Sequence, residues 1–155
     1  MMMTTTNRRD LMKHSAVVAG LLAGVLPMGA RAEGLNRAAF DAKTIDELTK
    51  AMGIAKPVES PLVTLTGPDI AENGAVVPLA AASTAPGVKR LLLLVEKNPA
   101  VLTASFDVTD AVEPAMSTRV KMGQTSNVYA VAITADNKVL FAQKEVKVTL
   151  GGCGG

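Results

Sequence analysis

The 155-residue chain lacks tryptophan, and aromatic residues make up only 3% of it. Because single-stranded nucleic acids bind largely by stacking on aromatic side chains, this chain offers them no platform. It also has one histidine, His14, and one cysteine, Cys153. A tetrahedral metal site or a cysteine–histidine pair needs more of these residues, so we expect no metal site, no cofactor and little catalytic machinery.

A strong charge of one sign is also absent. The chain has 16 lysine and arginine residues and 14 aspartate and glutamate residues. Once residues 1–32 are set aside, the remaining 123 residues have 12 basic and 13 acidic side chains, a net charge of −1. A near-neutral body excludes binding driven by phosphate neutralisation, so we expect no nucleic-acid partner.

Residues 1–32 have the organisation of an export signal. A basic segment containing Arg8 and Arg9 precedes a glycine-interrupted apolar run, and Ala30 and Ala32 are the small residues that a signal peptidase reads. The apolar run is shorter than a membrane span of about 20 residues. The arginine pair resembles the twin-arginine signal of bacteria, with an ordinary Sec signal as the alternative. We therefore expect cleavage near residue 33 and a periplasmic protein without a membrane anchor.

Residues 33–60 are predicted to form a helical lead and a linker. Apolar residues recur at spacings of three and four between residues 35 and 52, which is typical of one face of an amphipathic helix. Thr44 and Glu47 match a capping box, and Gly53 fits a left-handed C-terminal cap. The pattern predicts one interrupted helix, or a turn followed by a helix over residues 45–52.

Residues 61–150 change to a period of two, which is typical of strands with one buried face. The alternation is clearest at 102–108, where residues 102, 104, 106 and 108 are predicted to share a face, and at 116–122 and 128–134. Residues 91–95 are apolar throughout, as in a central strand, although a buried helix has the same pattern.

Towards residue 150 the parity of the apolar positions switches. Val139 and Phe141 share one parity and Val146 and Val148 the other, which predicts a bulge or a strand break near residues 143–145. Counting gives about seven short strands in roughly 90 residues. The sequence therefore predicts a mainly β fold: an immunoglobulin-like antiparallel β-sandwich over residues 61–150, preceded by the short helical segment.

Residues 151–155 read Gly-Gly-Cys-Gly-Gly. Glycine has the greatest backbone freedom and no side chain to bury, so the segment is predicted to be a flexible arm. The thiol then lies on a flexible segment without bulky side chains, which suits a carrier whose cysteine must enter narrow active sites. The residues alone leave an alternative open, a secreted β-sandwich binding module whose tail cysteine only forms intermolecular disulfides.

The terminal motif, together with Lys144-Glu-Val-Lys-Val-Thr-Leu150, resembles the C-terminal signature of the SoxY sulfur-carrier proteins of bacterial thiosulfate oxidation. The resemblance extends to four internal motifs: Ile70-Ala-Glu-Asn-Gly74, Glu96-Lys-Asn-Pro99, Ser117-Thr-Arg119 and Gln124-Thr-Ser-Asn-Val128. Members of this family typically carry a twin-arginine signal.

The resemblance implies a role for Cys153 as the covalent attachment point for sulfur intermediates, in a protein without turnover of its own. The arm would be supplied by Gly151, Gly152, Gly154 and Gly155. A c-type cytochrome complex would couple thiosulfate to the thiol, a hydrolase would release sulfate, and a sulfane dehydrogenase, where present, would oxidise the remaining sulfur. The resemblance also implies a heterodimer with a SoxZ-like sandwich protein.

Overall fold

The computed structural model describes residues 36–149 of the chain. The predicted export signal, with Arg8, Arg9, Ala30 and Ala32, lies outside the described residues. The predicted arm, residues 151–155 with Cys153, lies outside them as well. Within the described part of the chain, no helix has the length and apolar character that a membrane crossing requires.

In residues 36–149, two short helices precede nine strands. The helices are α1 (Arg37–Asp41) and α2 (Ile45–Met52). The strands are β1 (Val58–Glu59), β2 (Val63–Thr66), β3 (Ile70–Ala71), β4 (Val77–Ser83), β5 (Val88–Val95), β6 (Leu102–Asp107), β7 (Ala115–Val120), β8 (Ser126–Thr134) and β9 (Val139–Val148). The expected helical lead is therefore an interrupted helix, and the expected linker contains the two-residue strand β1.

The ends of α2 follow the capping pattern in the sequence. The Thr44 hydroxyl accepts a hydrogen bond from the amide of Glu47 at 3.1 Å. The Glu47 carboxylate accepts from the amide of Lys43 at 2.8 Å, one residue before the cap, where a capping box would use the cap residue's own amide. Gly53 has φ +63° and closes the helix in the left-handed conformation.

The strands form two sheets. The larger sheet has six strands, in the order β1-β9-β8-β5-β6 with β3 also paired to β9, and the smaller has the order β2-β4-β7. β2 packs over β8 and β9, and β4 over β5 and β8, so the sheets form the expected sandwich. The pairing is antiparallel except that β1 and β3 join β9 in parallel, a departure from the fully antiparallel prediction.

Apolar layers cover both faces of the larger sheet. One layer lies between the sheets and includes Leu91, Leu93 and Val95 of β5. The other lies under the helices and includes Leu92 and Leu94 of the same strand together with Leu48 of α2. The uninterrupted apolar run at 91–95 is thus a central strand buried on both faces, as predicted.

Neither the bulge nor the strand break predicted near residues 143–145 is present in β9, which runs unbroken from Val139 to Val148. β9 pairs with β8 in continuous register from Val139 opposite Ile133 to Val146 opposite Ser126. The parity changes because different faces are covered along the strand: Val139 lies in the layer under the helices, whereas Val146 lies between the sheets. The change in the apolar pattern therefore results from which layer covers each part of β9, and not from a register shift.

A bulge occurs instead in β6, where the alternation predicted none. Leu93 pairs with Ala104, but Leu94 pairs with Leu102, so Thr103 is the extra residue. Leu102 consequently lies under the helices, while Ala104 packs between the sheets. The prediction that residues 102, 104, 106 and 108 share one face is therefore wrong for Leu102.

Candidate functional site: the root of the C-terminal segment

The last strand of the sandwich leads directly to the segment that contains the cysteine. β9 ends at Val148, and Thr149 is the last described residue, four residues before Cys153. Nothing is described beyond it, so the site is defined by Thr149 and the residues that fix its position. We call Thr149 and its neighbours Lys147 and Val148 the root.

Hydrogen bonds from two segments hold the root. The amides of Lys147 and Thr149 donate to the carbonyls of Asp69 and Ala71, at 3.0 and 3.1 Å, in the parallel pairing of β9 with β3. On the other side, the amide of Val148 donates to the Thr125 hydroxyl at 3.0 Å. Since successive amides of a strand point in opposite directions, β9 is held at both edges up to its end.

A lysine on β9 secures the segment that pairs with the root. The Lys144 ammonium donates to the carbonyl of Gly67 at 2.7 Å and lies 2.8 Å from the carboxylate of Asp69. The hydrogen bond and positive charge of Lys144 lower the pKa of Asp69. The Asp69 side chain is 89% exposed, so the ion pair adds little stability and mainly orients the start of β3.

Close backbone packing also joins the loop at Gly74 to the loop at Met122, beside the root. The amide of Met122 donates to the carbonyl of Gly74 at 2.7 Å. A Cβ atom at Gly74 would lie against the carbonyl oxygen of Met122 and 2.8 Å from Cγ1 of Val148. Gly74 is therefore needed because a backbone and the root itself approach it closely.

A third loop completes the surroundings. The Asn98 side chain donates to the carbonyl of Lys121 at 2.8 Å, and the amide of Lys97 donates to the Ser126 hydroxyl at 3.0 Å. The Glu96 carboxylate accepts from Asn127 at 3.0 Å and from the Tyr129 hydroxyl at 3.3 Å. Burial, followed by the negative charge of Glu96, raises the pKa of Tyr129.

We call the three segments 69–76, 96–98 and 121–127 the collar. The collar brings together three of the four internal motifs named in the sequence. These three motifs begin at residues 70, 96 and 124. The fourth, residues 117–119, lies in β7. In the sequence these motifs are only signals of the family, and they predict no contact for Thr125 or Gly74. An Asn-Gly pair and a Thr next to Ser were visible, but only the folded chain shows that both contact the root.

The collar is close to neutral and partly apolar. Ile70 and Val76 are large apolar residues that are 56% and 49% exposed. With the root included, Lys97, Lys121 and Lys147 are balanced by Asp69, Glu72 and Glu96. Among the described residues, no group of three histidine, cysteine, aspartate or glutamate side chains is placed to hold a metal ion.

Fold and root together define a class: an immunoglobulin-like β-sandwich whose last strand is fixed up to four residues before a lone cysteine. The family model for the sulfur oxidation protein SoxY matches residues 48–153, a stretch that includes this cysteine. The chain belongs to the SoxY family.

A solved structure agrees with this assignment, and a second one shares the fold. The sulfur carrier protein SoxY from Chlorobium limicola f thiosulfatophilum is 34% identical, with a TM-score of 0.61 over 68% of this chain and 94% of that chain. A superoxide reductase (neelaredoxin) from Ignicoccus hospitalis is 15% identical, with a TM-score of 0.51 over 56% of this chain and 79% of that chain. At that identity the second likeness shows the shared fold alone. No curated protein matches the sequence.

Proposed function

We propose that this protein is a periplasmic sulfur carrier that holds intermediates of thiosulfate oxidation covalently on the thiol of Cys153. The observation that carries the proposal is that the root is fixed: β9 is hydrogen-bonded at both edges up to Thr149, four residues before the cysteine. The named relative from Chlorobium limicola is a sulfur carrier protein, which supports the same role.

The short distance from root to thiol determines how partners must approach. Four extended residues span at most roughly 13 to 14 Å. An enzyme that takes the thiol into its active site must therefore come close to the collar. The glycines at 151, 152, 154 and 155 add no side chains to the segment, so a narrow channel can admit it.

The chemistry on the thiol needs no group from the carrier itself. In the loading step, Cys153 and thiosulfate lose one proton and two electrons and form a cysteine S-thiosulfonate with a new S–S bond. The electrons go to a c-type cytochrome complex. In the next step a hydrolase adds water to the terminal sulfone, which leaves as sulfate with two protons, and a persulfide stays on Cys153. A sulfane dehydrogenase, where present, oxidises that sulfur.

We propose that the carrier has no turnover of its own, because the residues from 33 onward contain no histidine and only one thiol. We propose export through the twin-arginine pair Arg8–Arg9 and cleavage after Ala32. We also propose a stable heterodimer with a SoxZ-like sandwich protein, as the family resemblance implies.

Intact-mass spectrometry of the full protein purified from thiosulfate-grown cells tests the proposal. We expect adducts of thiosulfonate, sulfonate or added sulfur, all mapping to Cys153 and absent from Cys153→Ser. Normal sulfur-dependent turnover with Cys153→Ser would contradict it and would favour a binding module with an incidental tail thiol. A purified protein whose only modification is a Cys153 disulfide would do the same.

A further inference from the structure

Two exposed apolar side chains lie in the surface around the root. Among the described residues, several large apolar side chains are exposed, and two of them, Ile70 and Val76, belong to the collar segment 69–76. A single exposed apolar residue is common and needs no explanation. These two, however, lie beside the residue from which the chain continues to Cys153, and their position determines what can cover them. We call Ile70 and Val76 the collar pair.

Ile70 lies beside the root on its outer face. In the parallel pairing of β3 with β9, Ile70 is the partner of Lys147, and Ala71 is the partner of Val148. Ala71 and Val148 pack in the apolar layer between the sheets. Because side chains alternate along a strand, Ile70, Lys147 and Thr149 share the face that points away from this layer.

Val76 is held by a turn that packs against the root. Its amide donates to the carbonyl of Asn73 at 3.2 Å and closes a turn over residues 73–76. Gly74 in this turn approaches the root closely, since a Cβ atom there would lie 2.8 Å from Cγ1 of Val148. Backbone that is hydrogen-bonded to the root or packed against it therefore presents both members of the collar pair.

The length of chain between the root and the thiol determines what must cover the collar pair. Cys153 lies four residues after Thr149, which allows a separation of at most roughly 13 to 14 Å. A reacting centre three extended residues deep, about 10 Å, leaves one residue, about 3.5 Å, between the enzyme surface and Thr149. Ile70 lies on the strand next to the root, and neighbouring strands are about 4.8 Å apart. The mouth of such an enzyme channel therefore contacts Ile70 when Cys153 reaches the reacting centre.

We propose that the collar pair is the contact site for the mouth of an enzyme channel that receives Cys153. The enzyme must have an apolar rim and a reacting centre no more than about 14 Å below that rim. Apolar contact suits this surface, because the positive and negative side chains of the collar and root balance and provide no net attraction. That the enzyme acts on sulfur bound to the thiol rests on the proposed function above.

β1 offers a matched control position. Val58 is also an exposed apolar residue of a two-residue strand that pairs in parallel with β9, but its partner is Leu140. Leu140 lies nine residues before Thr149, a distance of about 30 Å along an extended strand. Val58 is therefore beyond the reach of the four-residue segment, and a channel mouth at the root does not need to touch it.

Ile70→Glu and Val76→Glu test the contact, with Val58→Glu as their control. The carrier is purified from its own cells with any chain that copurifies, and thiosulfate-dependent reduction of the c-type cytochrome complex is measured against carrier concentration. We expect each collar-pair variant to raise the KM for the carrier at least about tenfold with kcat unchanged, because a charge at an apolar contact weakens docking and not the chemistry. Val58→Glu should retain the parent KM. All three variants should keep the parent melting temperature and the parent rate of Cys153 alkylation by a small reagent.

A longer segment separates contact at the channel mouth from any other role of Ile70. Three glycines inserted between Gly151 and Gly152 add up to roughly 10 Å, so the thiol can reach the reacting centre without contact between the enzyme and the collar pair. In this background we expect Ile70→Glu and Val58→Glu to have equal KM values. A tenfold difference that persists with the longer segment would overturn the proposal.

Two further results would overturn the collar pair as an enzyme contact. Equal KM values for Ile70→Glu, Val76→Glu and Val58→Glu with the normal segment would show that the enzyme does not touch it. Loss of a copurifying chain or of a homodimer in Ile70→Glu, measured by size-exclusion chromatography, would assign it to a permanent interface. A parent protein that supports no cytochrome reduction would reject the carrier function and the collar pair with it, so the two failures are distinguishable.

Discussion

The backbone amide of Val148 donates a 3.0 Å hydrogen bond to the hydroxyl of Thr125, a residue 23 positions earlier in the chain. This bond joins the end of β9 to the loop between β7 and β8. It fixes the strand on the side opposite β3, so the point from which the cysteine segment leaves the sandwich is set by tertiary contacts.

Thr125→Val should loosen the root. Valine has the shape of threonine but no acceptor, so the part-buried amide of Val148 loses its partner at a cost of about 1 to 2 kcal/mol. We expect a fall in melting temperature of about 4 to 8 °C per kcal/mol and faster amide exchange at Val148 and Thr149. Thr125→Ser retains the hydroxyl and serves as the control. Unchanged exchange at Val148 in the valine variant would contradict the role assigned to Thr125.

Gly74→Ala should destabilise the fold, whereas Gly123→Ala should not. The new Cβ at position 74 would press on the Met122 carbonyl and on Val148, while nothing lies within 4 Å of a Cβ at position 123. Overpacking against backbone costs about 1 to 3 kcal/mol, to be measured by urea unfolding. Equal stabilities of the two variants would show that the collar relaxes around residue 74.

Gly152→Leu should impair sulfur transfer without affecting the fold. The residue follows the fixed root, and we expect a bulky side chain beside Cys153 to obstruct narrow active sites. In the reconstituted system, turnover should fall at least about tenfold, an increase of about 1.4 kcal/mol in the barrier. The melting temperature and the rate of Cys153 alkylation should match those of the parent. A joint loss of turnover and alkylation would mean that the leucine acts on the thiol and not on access.

The β8–β9 hairpin should lose a stabilising contribution in strong acid. Hydrogen bonds from Lys138 and Thr134 lower the pKa of Asp136 from 3.8 to about 2. Because the folded-state pKa is the lower one, the contribution is complete above the unfolded value and disappears as the pH falls through about 2. Carboxyl chemical shifts followed from pH 5 to pH 1 should give this value, and Asp136→Asn should flatten the acid dependence of unfolding. A measured pKa of 3.8 would show that these contacts do not persist in solution.

The sequence by itself determined the elements whose signals are local. The Thr44 hydroxyl caps α2 and Gly53 ends it because each residue contacts backbone within one helical turn. The alternation at 128–134 also determined which residues of β8 share a face; the structure adds that Tyr129 and Val131 lie under the helices and Val128 and Ala130 between the sheets. The terminal motif and its family likeness likewise needed no structure.

Tertiary structure decided where faces and loops meet. The parity of β9 predicted a bulge or a strand break that is absent, because the helices cover only the first part of the strand, whereas the layer between the sheets continues to its end. The real bulge, at Thr103, depends on how β6 pairs with β5 and leaves no mark in the alternation. Contacts such as Thr125 with Val148 and Gly74 with Met122 join residues far apart in the chain. A sequence pattern records which residues are buried, but the choice of partners for a buried face is made only when the layers pack.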